Sequence, residues 1–146
     1  MKLRPLASLE LELALERVFV LGTTPKGNRM IAEIKSAELS GSRVKASMKG
    51  LAAADWAVLG DDGLARFDIR MVLETTDDAL IYLSYTGKAN WSAGPGSGPI
   101  FSVAEFETAA DRYRWLNEIQ VVGQGAMKAD FSGVQYDFFE LVGETG

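Results

Sequence analysis

The sequence predicts an all-β fold of antiparallel strands, arranged as a sandwich or a barrel. Short segments alternate apolar and polar residues with the two-residue period of a half-buried strand. Turn signals rich in Gly, Pro, Asp and Asn separate these segments at intervals of about eight to twelve residues. No segment keeps a helical period over three turns. These three observations together indicate an antiparallel sandwich or barrel.

The first strands follow from alternation and from turn residues. SLELELAL predicts a half-buried strand whose four leucines share one face: Leu9, Leu11, Leu13 and Leu15. Residues 22–28, GTTPKGN, have turn chemistry, and RMIAEIK follows as a second short strand. SAELSGSRVKASMKG then predicts two strands folded tightly at residues 40–42, because Gly41 adopts any backbone conformation without a steric penalty.

The middle of the chain predicts a hairpin followed by a further strand. After LAAADWAVL, the turn GDDG at residues 60–63 leads into LARFDIRMVLET. This strand has an apolar face and a largely charged one; the apolar face consists of Phe67, Ile69, Met71 and Leu73. TTDD turns the chain into ALIYLSYTG, which is largely apolar or aromatic on both faces and is therefore predicted to be a central strand.

The last part of the chain begins with a break in regular structure. The Gly and Pro residues of NWSAGPGSGPI fit neither helix nor strand, so residues 91–100 form either a lid or a disordered connection. FSVAEFET is again a strand, AADRYRWLN can make a single helical turn, and EIQVVGQG and GVQYDFFELV form a closing strand pair. We expect one domain over residues 1–146.

The composition limits the catalytic and metal-binding groups that the protein can use. The chain has 146 residues, of which 47% are hydrophobic, and it contains neither cysteine nor histidine. It therefore has no thiolate nucleophile, no imidazole base and no usual zinc or iron site, so acid–base chemistry falls to Asp, Glu, Tyr, Lys or a polarised water. We expect no metal and no cofactor.

Charge and hydropathy indicate the surroundings of the protein. The formal net charge is −5, and the Lys and Arg residues are scattered, which argues against a nucleic-acid partner. No run approaches the roughly 18 apolar residues of a membrane helix. Glu10, Glu12 and Glu16 lie where a signal peptide would be apolar. We expect a soluble cytoplasmic protein that does not bind a membrane.

Asp68 and Arg70 form the first candidate constellation. They lie two residues apart on a predicted strand and therefore share a face. If that face lines a barrel, Arg70 can hold an anion or an enolate while Asp68 orients it. If the face is in water, the pair is a surface ion pair of little energetic value.

Asp55 and Trp56 form the second constellation. A carboxylate beside an indole can have a raised pKa and move a proton. In the alternative interpretation, Asp55 caps a turn before the strand and Trp56 fills the core.

The third constellation lies in FETAADRYRWLNE, residues 106–118. If the segment is extended, Tyr113, Trp115 and Asn117 share one side, with Glu107 on the strand before it, and this wall suits an apolar ligand with a carbonyl or phenol to orient. If the segment is a helical turn, Tyr113 and Trp115 separate and Trp115 plugs a barrel end.

Several stretches in this order resemble one family of small bacterial proteins, called domain of unknown function 3237. They are KLRPL, TTPKGNRMI, ADW at residues 54–56, DGLARFDIRMVLETTDDALIYLSYTG, and FETAADRYRWLN with the terminal strands. The likeness covers nearly the whole chain. It rests on order and spacing, since no single motif is diagnostic.

The resemblance implies a single antiparallel β-barrel, similar to allene oxide cyclase-like and calycin-like barrels, in a dimer or higher oligomer. Proteins with such barrels bind apolar substrates inside them and steer isomerisation or ring chemistry without a cofactor. The family pattern matches Arg29, the pair Asp55 and Trp56, Arg70, and the run of Tyr113, Trp115, Leu116 and Asn117.

With this resemblance, the sequence leads to a functional hypothesis. The protein is a cofactor-independent lyase or isomerase for an apolar or aromatic small molecule bound in the barrel. The assigned roles are Asp55 or Glu107 as the proton-transfer group, Arg70 and Tyr82 as oxyanion stabilisers, Trp56 and Trp115 as ring clamps, and Arg29, Tyr113 and Asn117 as further binding residues.

Two alternatives remain open. The protein could be a small-molecule-binding barrel without catalytic activity, which explains the aromatic residues equally well. It could also be a structural oligomer module, whose barrel is filled by its own side chains.

Overall fold

The computed structural model describes residues 1–144, which form nine strands and one 3-10 helix. The strands are β1 (Lys2–Thr24), β2 (Gly27–Ser40), β3 (Lys45–Met48), β4 (Ala54–Leu59), β5 (Leu64–Thr75), β6 (Leu80–Asn90), β7 (Ile100–Glu107), β8 (Val121–Met127) and β9 (Gly133–Val142). The 3-10 helix spans Asp111–Glu118, between β7 and β8.

The strands close into one antiparallel barrel. β1 pairs with both β2 and β9, and the sheet continues through β8, β7 and β6 to β5. The short strands β3 and β4 both lie between β2 and β5, one after the other, so they share one position in a ring of eight. The all-β barrel expected from the resemblance is therefore confirmed.

Strict alternation places the core inside the barrel. Along β5, every second side chain is buried, and these are Ala65, Phe67, Ile69, Met71 and Leu73. The charged residues between them point outward into solvent. Side chains fill the interior of an eight-stranded barrel in this way because its walls are close together.

β1 departs from the alternation that its sequence predicts. Leu9 and Leu11 are fully buried and Leu13 is partly buried, as expected. The register with β2 then shifts on both sides of Leu13, so that Ala14 is buried and Leu15 is 56% exposed. The prediction that Leu15 shares the buried face is wrong, because a bulge moves the residues that follow it to the opposite face.

The part of β1 beyond this bulge leaves the closed ring. β9 pairs with β1 only as far as Glu12, whereas β2 pairs with it from Val18 to Thr24. Residues 14–24 are called the β1 arm below. From Val18 to Thr24 the arm has β2 on one edge, and along the arm the described residues place no strand on the other edge.

Different devices close the two barrel ends. At one end, the 3-10 helix inserts Leu116, which is fully buried. The segment is helical, but its eight residues make more than the single turn that the sequence predicts. At the other end, Trp91 folds in from the glycine-rich loop. Its Nε1 donates a hydrogen bond to the carbonyl of Gly98 at 2.9 Å, and its ring packs edge-on against Phe67. The loop is therefore anchored to the core at its first residue.

Among residues 1–144, no helix is long and apolar enough to cross a bilayer.

Candidate functional site

Asp55 carries a carboxyl group on the inner side of the barrel wall. Asp55 lies between Ala53, which directly precedes β4, and Ala57 on β4, and both alanines are buried in the core. Its neighbours across the sheet, Ala32 on β2 and Ile69 on β5, are also buried. The alternation of β4 therefore directs an ionisable group towards an apolar interior.

The pKa of Asp55 is strongly shifted. Burial raises it from 3.8 to about 7, because a charged carboxylate loses its hydration inside the barrel. A hydrogen bond from the backbone N–H of Asp68 lowers the pKa in part, and the negative charge of Asp68 raises it slightly. Near neutral pH both protonation states of Asp55 are therefore populated.

Asp55 also fills a gap in the sheet. The pairs Asp55–Ile69 and Val58–Arg66 flank a stretch in which β4 and β5 are not paired. Within this gap, Oδ1 of Asp55 accepts the backbone N–H of Asp68 at 3.1 Å. The carboxylate thus provides the partner that a backbone donor in a strand requires, and this contact fixes its position.

Two tyrosines approach the same region from β6 and β9. Tyr85 and Tyr136 are both fully buried, with ring centroids 5.0 Å apart in an edge-to-face arrangement, and Phe138 packs against both rings. Burial raises the pKa of each hydroxyl above its usual value. The neighbouring Tyr136 hydroxyl and then the charge of Asp55 raise the pKa of Tyr85 further, and Asp55 also raises that of Tyr136. Both hydroxyls therefore stay protonated at neutral pH. Asp55, Tyr85 and Tyr136 are called the interior cluster below.

Glycines on β8 make room for these rings. A Cβ at Gly125 would lie 2.4 Å from Cδ1 of Tyr136, and a Cβ at Gly123 would lie 2.6 Å from Cδ1 of Phe138. Both distances are far below van der Waals contact. The rings can therefore occupy these positions only because the two residues of GQG on β8 that face them have no side chain.

Polar atoms in the barrel lack hydrogen-bond partners. Within the described residues, the Tyr85 hydroxyl, Ser102 Oγ and Asn28 Oδ1 are buried and make no hydrogen bond. Buried polar groups in folded proteins nearly always have a partner, which is a protein group, an ordered water or a ligand. Within the described residues, these three atoms therefore have unused hydrogen-bonding capacity.

Four of the residues predicted from the sequence lie on the outer face. The guanidinium of Arg70 lies 4.2 Å from the ring centroid of Trp56, and Nη1 of Arg29 donates to the Trp56 carbonyl at 3.2 Å. Trp56, Arg70 and Tyr82 line a shallow groove of about 500 Å³ on this face. The Arg70 face is therefore the solvent side of β5, and Arg70 stacks on an indole there.

Glu107 also faces outward, on β7 opposite Tyr82. A smaller groove of about 360 Å³ includes Tyr82, Glu107 and Asn117. Glu107 is exposed and lies across the wall from the interior.

The remaining three predicted residues hold the 3-10 helix in place. The Tyr113 hydroxyl donates to Asp77 in the β5–β6 turn at 2.9 Å. The Trp115 ring packs against the core and lies under the guanidinium of Arg43 at 4.3 Å. The Asn117 side chain makes two hydrogen bonds to the backbone of Thr108, at 2.8 and 2.9 Å. The helical interpretation of this segment is correct, and Tyr113 and Trp115 do not form one wall.

The structure therefore does not bring the nine predicted residues into one site. Asp55 alone points into the barrel from its wall, while Trp56 beside it points outward, so the barrel interior rather than the indole raises the Asp55 pKa. Tyr85 and Tyr136 were missed as site residues. On β6 and on β9, each tyrosine lies on the same face as the buried apolar residues two positions away. This pattern is the signal that could have placed both tyrosines inside.

A buried ionic cluster at the barrel end was also missed. The Glu140 side chain is only 6% exposed, and both Arg4 and Arg43 donate hydrogen bonds to it. Burial alone would raise the Glu140 pKa, but the two guanidinium groups outweigh burial and lower it. Because Arg43 also stacks on Trp115, this cluster ties β1, β9 and the 3-10 helix together.

Among residues 1–144, no group of three or more acidic, His or Cys side chains is arranged to hold a metal ion.

Comparison with known proteins identifies the family. Residues 1–141 match the family described as "Protein of unknown function (DUF3237)". The chain belongs to this family. No curated protein matches the sequence.

Solved structures of similar barrels share the fold. A β-barrel-like protein from Acinetobacter baumannii is 32% identical, with a TM-score of 0.85 over 97% of this chain and 96% of that one. A protein of unknown function from Clostridium acetobutylicum is 18% identical, with a TM-score of 0.85 over 97% and 100% of the two chains. An enzyme from Penicillium herquei is 18% identical, with a TM-score of 0.72 over 95% and 94%.

Proposed function

We propose that this DUF3237 protein is a cofactor-independent acid–base catalyst, a lyase or isomerase, for an apolar or aromatic small molecule bound in the barrel. Asp55 is the group that moves the proton. The observation that carries the proposal is the position of Asp55 on the inner wall, where burial raises its pKa to about 7.

A pKa near the working pH is what general acid–base catalysis requires. A carboxyl with its usual pKa of 3.8 is almost fully ionised at neutral pH and is a weak base. At a pKa of about 7 the ionised form is a stronger base, and the protonated form is abundant enough to return the proton. One residue can thus remove a proton from one carbon and deliver it to another.

The tyrosines of the interior cluster supply hydrogen-bond donors. Tyr85 and Tyr136 remain neutral at neutral pH because burial raises the pKa of both. Neutral hydroxyls held in an apolar interior stabilise negative charge that develops on a substrate oxygen. The sequence hypothesis gave this role to Arg70 and Tyr82, but those two side chains lie on the outer face.

The surroundings of the interior cluster favour an apolar substrate with one polar end. Phe138 and Ile69 supply apolar surface beside Tyr85, and the unsatisfied Tyr85 hydroxyl supplies a point of orientation. Binding sites for small molecules commonly combine many apolar contacts with few polar ones. An aromatic ketone or enone has this distribution of groups.

A relative with the same fold supports catalysis in general terms. The Penicillium herquei protein is described as an enzyme. At 18% identity the likeness extends to the fold alone, and one fold hosts many functions. The assignment of catalysis to this chain therefore rests on Asp55.

The test measures proton transfer directly and does not require the product to be identified. Aromatic ketones and enones with an acidic C–H are incubated with the protein in deuterated water, and loss of the C–H signal is followed by NMR. We expect exchange that accelerates as pH rises through about 7 and that Asp55→Asn abolishes. The matched control is Asp137→Asn, an exposed aspartate on the outer face of β9.

Two outcomes would contradict the proposal. Exchange by Asp55→Asn at the wild-type rate would show that another group moves the proton. Binding of the compounds without exchange at any pH would instead favour the non-catalytic binding barrel.

A further inference from the structure

The β1 arm presents an open sheet edge. One edge of the arm pairs with β2 from Val18 to Thr24. On the other edge, the last contact with the β8–β9 hairpin is the bond from Leu13 N–H to the Ser132 carbonyl at 2.8 Å. Beyond it, the described residues offer no strand to this edge. Such an edge is a template for pairing with another strand.

The same arm exposes large apolar side chains. Leu15 is 56% exposed, Phe19 50%, Val20 65% and Leu21 59%. Val20 lies opposite Met30 on β2. Further along β2, the residues on this same face point into the barrel, but Val20 itself is open to solvent. An open edge that also carries apolar side chains is normally covered in the native assembly, because uncovered edges of this kind aggregate.

The charges at the two ends of the arm are complementary. At one end, Arg17 lies between two carboxylates, 2.7 Å from Glu16 and 3.0 Å from Glu33, which leaves that end with a net negative charge. At the other end, Lys26 is exposed in the hairpin turn and makes no ion pair within the described residues. Antiparallel pairing of two arms would bring the negative end of one arm beside the Lys26 end of the other.

We propose that the open edge of the β1 arm docks a second copy of this chain. The two arms pair antiparallel about a twofold axis, so that the same surface is used on both copies. The sheet of one barrel then continues into the sheet of the other, and Phe19, Val20 and Leu21 of each copy are shielded by the partner arm.

The chief competing surface is the outer face of β6–β8. It holds a groove of about 760 Å³, and it exposes Phe101 and Val103. Its strands are paired on both edges in the closed ring, so it offers apolar contact but no free backbone groups. The charges beside it, Arg66 and Lys88, have the same sign and lie on adjacent strands.

A matched pair of substitutions separates these two surfaces. Phe19→Lys and Phe101→Lys introduce the same charge at phenylalanines of similar exposure, 50% and 59%. Lysine on an edge strand opposes strand pairing. In sedimentation equilibrium from about 1 µM to about 1 mM protein, we expect wild type and Phe101→Lys to reach twice the 15.8 kDa chain mass. Phe19→Lys should remain at the chain mass, about a twofold reduction.

One further readout shows whether the variant is folded, and a second tests the interface. The circular dichroism spectrum of Phe19→Lys should match that of wild type. Amide hydrogen exchange in residues 14–24 of the wild type should slow as protein concentration rises. A monomeric wild type across the whole range, or a dimer that Phe101→Lys dissociates and Phe19→Lys does not, overturns the proposal.

Discussion

The Asp55 carboxylate accepts a hydrogen bond from the backbone N–H of Asp68 at 3.1 Å, within the gap between β4 and β5. One side-chain oxygen is thus held on the inner surface of the barrel wall by the backbone of the next strand. An asparagine at this position keeps an oxygen that can accept the same bond. Asp55→Asn therefore removes the proton-transfer group with little change to the sheet.

Asp55→Asn should stabilise the protein at neutral pH. Below pH 3.8 the folded and unfolded states both carry a protonated Asp55. Between pH 3.8 and about 7 the unfolded state releases this proton while the folded state retains it. Wild-type stability therefore falls as pH rises through this window, by up to about 1.4 kcal/mol per pH unit, and is constant above it.

Urea denaturation at several pH values measures this effect. The variant lacks the titration, so its free energy of unfolding relative to wild type should increase by an amount on the order of 4 kcal/mol between pH 3.8 and about pH 8. A difference between the two proteins that does not vary with pH would show that Asp55 ionises normally in the folded state.

Gly125→Ala should disturb the interior cluster. Its Cβ would lie 2.4 Å from the Tyr136 ring, so the ring or β8 must move, and overpacking of this kind costs about 1–3 kcal/mol. The displaced Tyr136 should also change the titration of Asp55. Gly143→Ala is the control, since a Cβ there meets no atom within 4 Å. Equal thermal stability of the two variants would contradict the described packing.

Glu140→Gln should destabilise the closed barrel end. The substitution removes the charge that holds Arg4 and Arg43, and loss of such charge-assisted hydrogen bonds costs about 1–3 kcal/mol. The control is Glu10→Gln, which affects an exposed ion pair with Lys128 and should change stability little. Chemical denaturation at neutral pH compares the two variants.

The effect of Glu140→Gln also depends on pH. The folded-state pKa of Glu140 is lowered, so its contribution is fully present above its ordinary value of 4.5 and is lost as pH falls through the folded-state pKa. The stability difference between wild type and Glu140→Gln should therefore shrink in acid. A difference that grows below pH 4.5 would contradict the ionic role.

Local patterns in the sequence predict much of the fold. Alternation on β5 places Phe67, Ile69, Met71 and Leu73 inside, as the structure shows. Turn residues locate the hairpins because Gly, Asp and Asn act on their own backbone. Alternation fails at Leu15, since the bulge that turns it outward depends on pairing with a distant strand.

The candidate site is harder to predict, because it depends on which face of each strand closes inward. The sequence indicates Asp55 as a candidate because it is a carboxylate beside an indole, but the two side chains point to opposite faces of β4. Arg70 shares its face with Asp68, as predicted, and that face is the outer one. The contacts of Glu140 with Arg4 and Arg43 join residues that are 136 and 97 positions apart, which no local pattern reveals.

The central claim is that Asp55 titrates near neutrality, and carboxyl NMR tests it most directly. Protein labelled with ¹³C at the aspartate carboxyls is titrated, and the Asp55 signal is assigned as the one that Asp55→Asn removes. We predict a pKa of about 7 for Asp55, lowered slightly in Asp68→Asn, where a neighbouring negative charge is removed. A pKa near 3.8 would contradict the claim, because Asp55 would then be an ordinary ionised carboxylate at neutral pH.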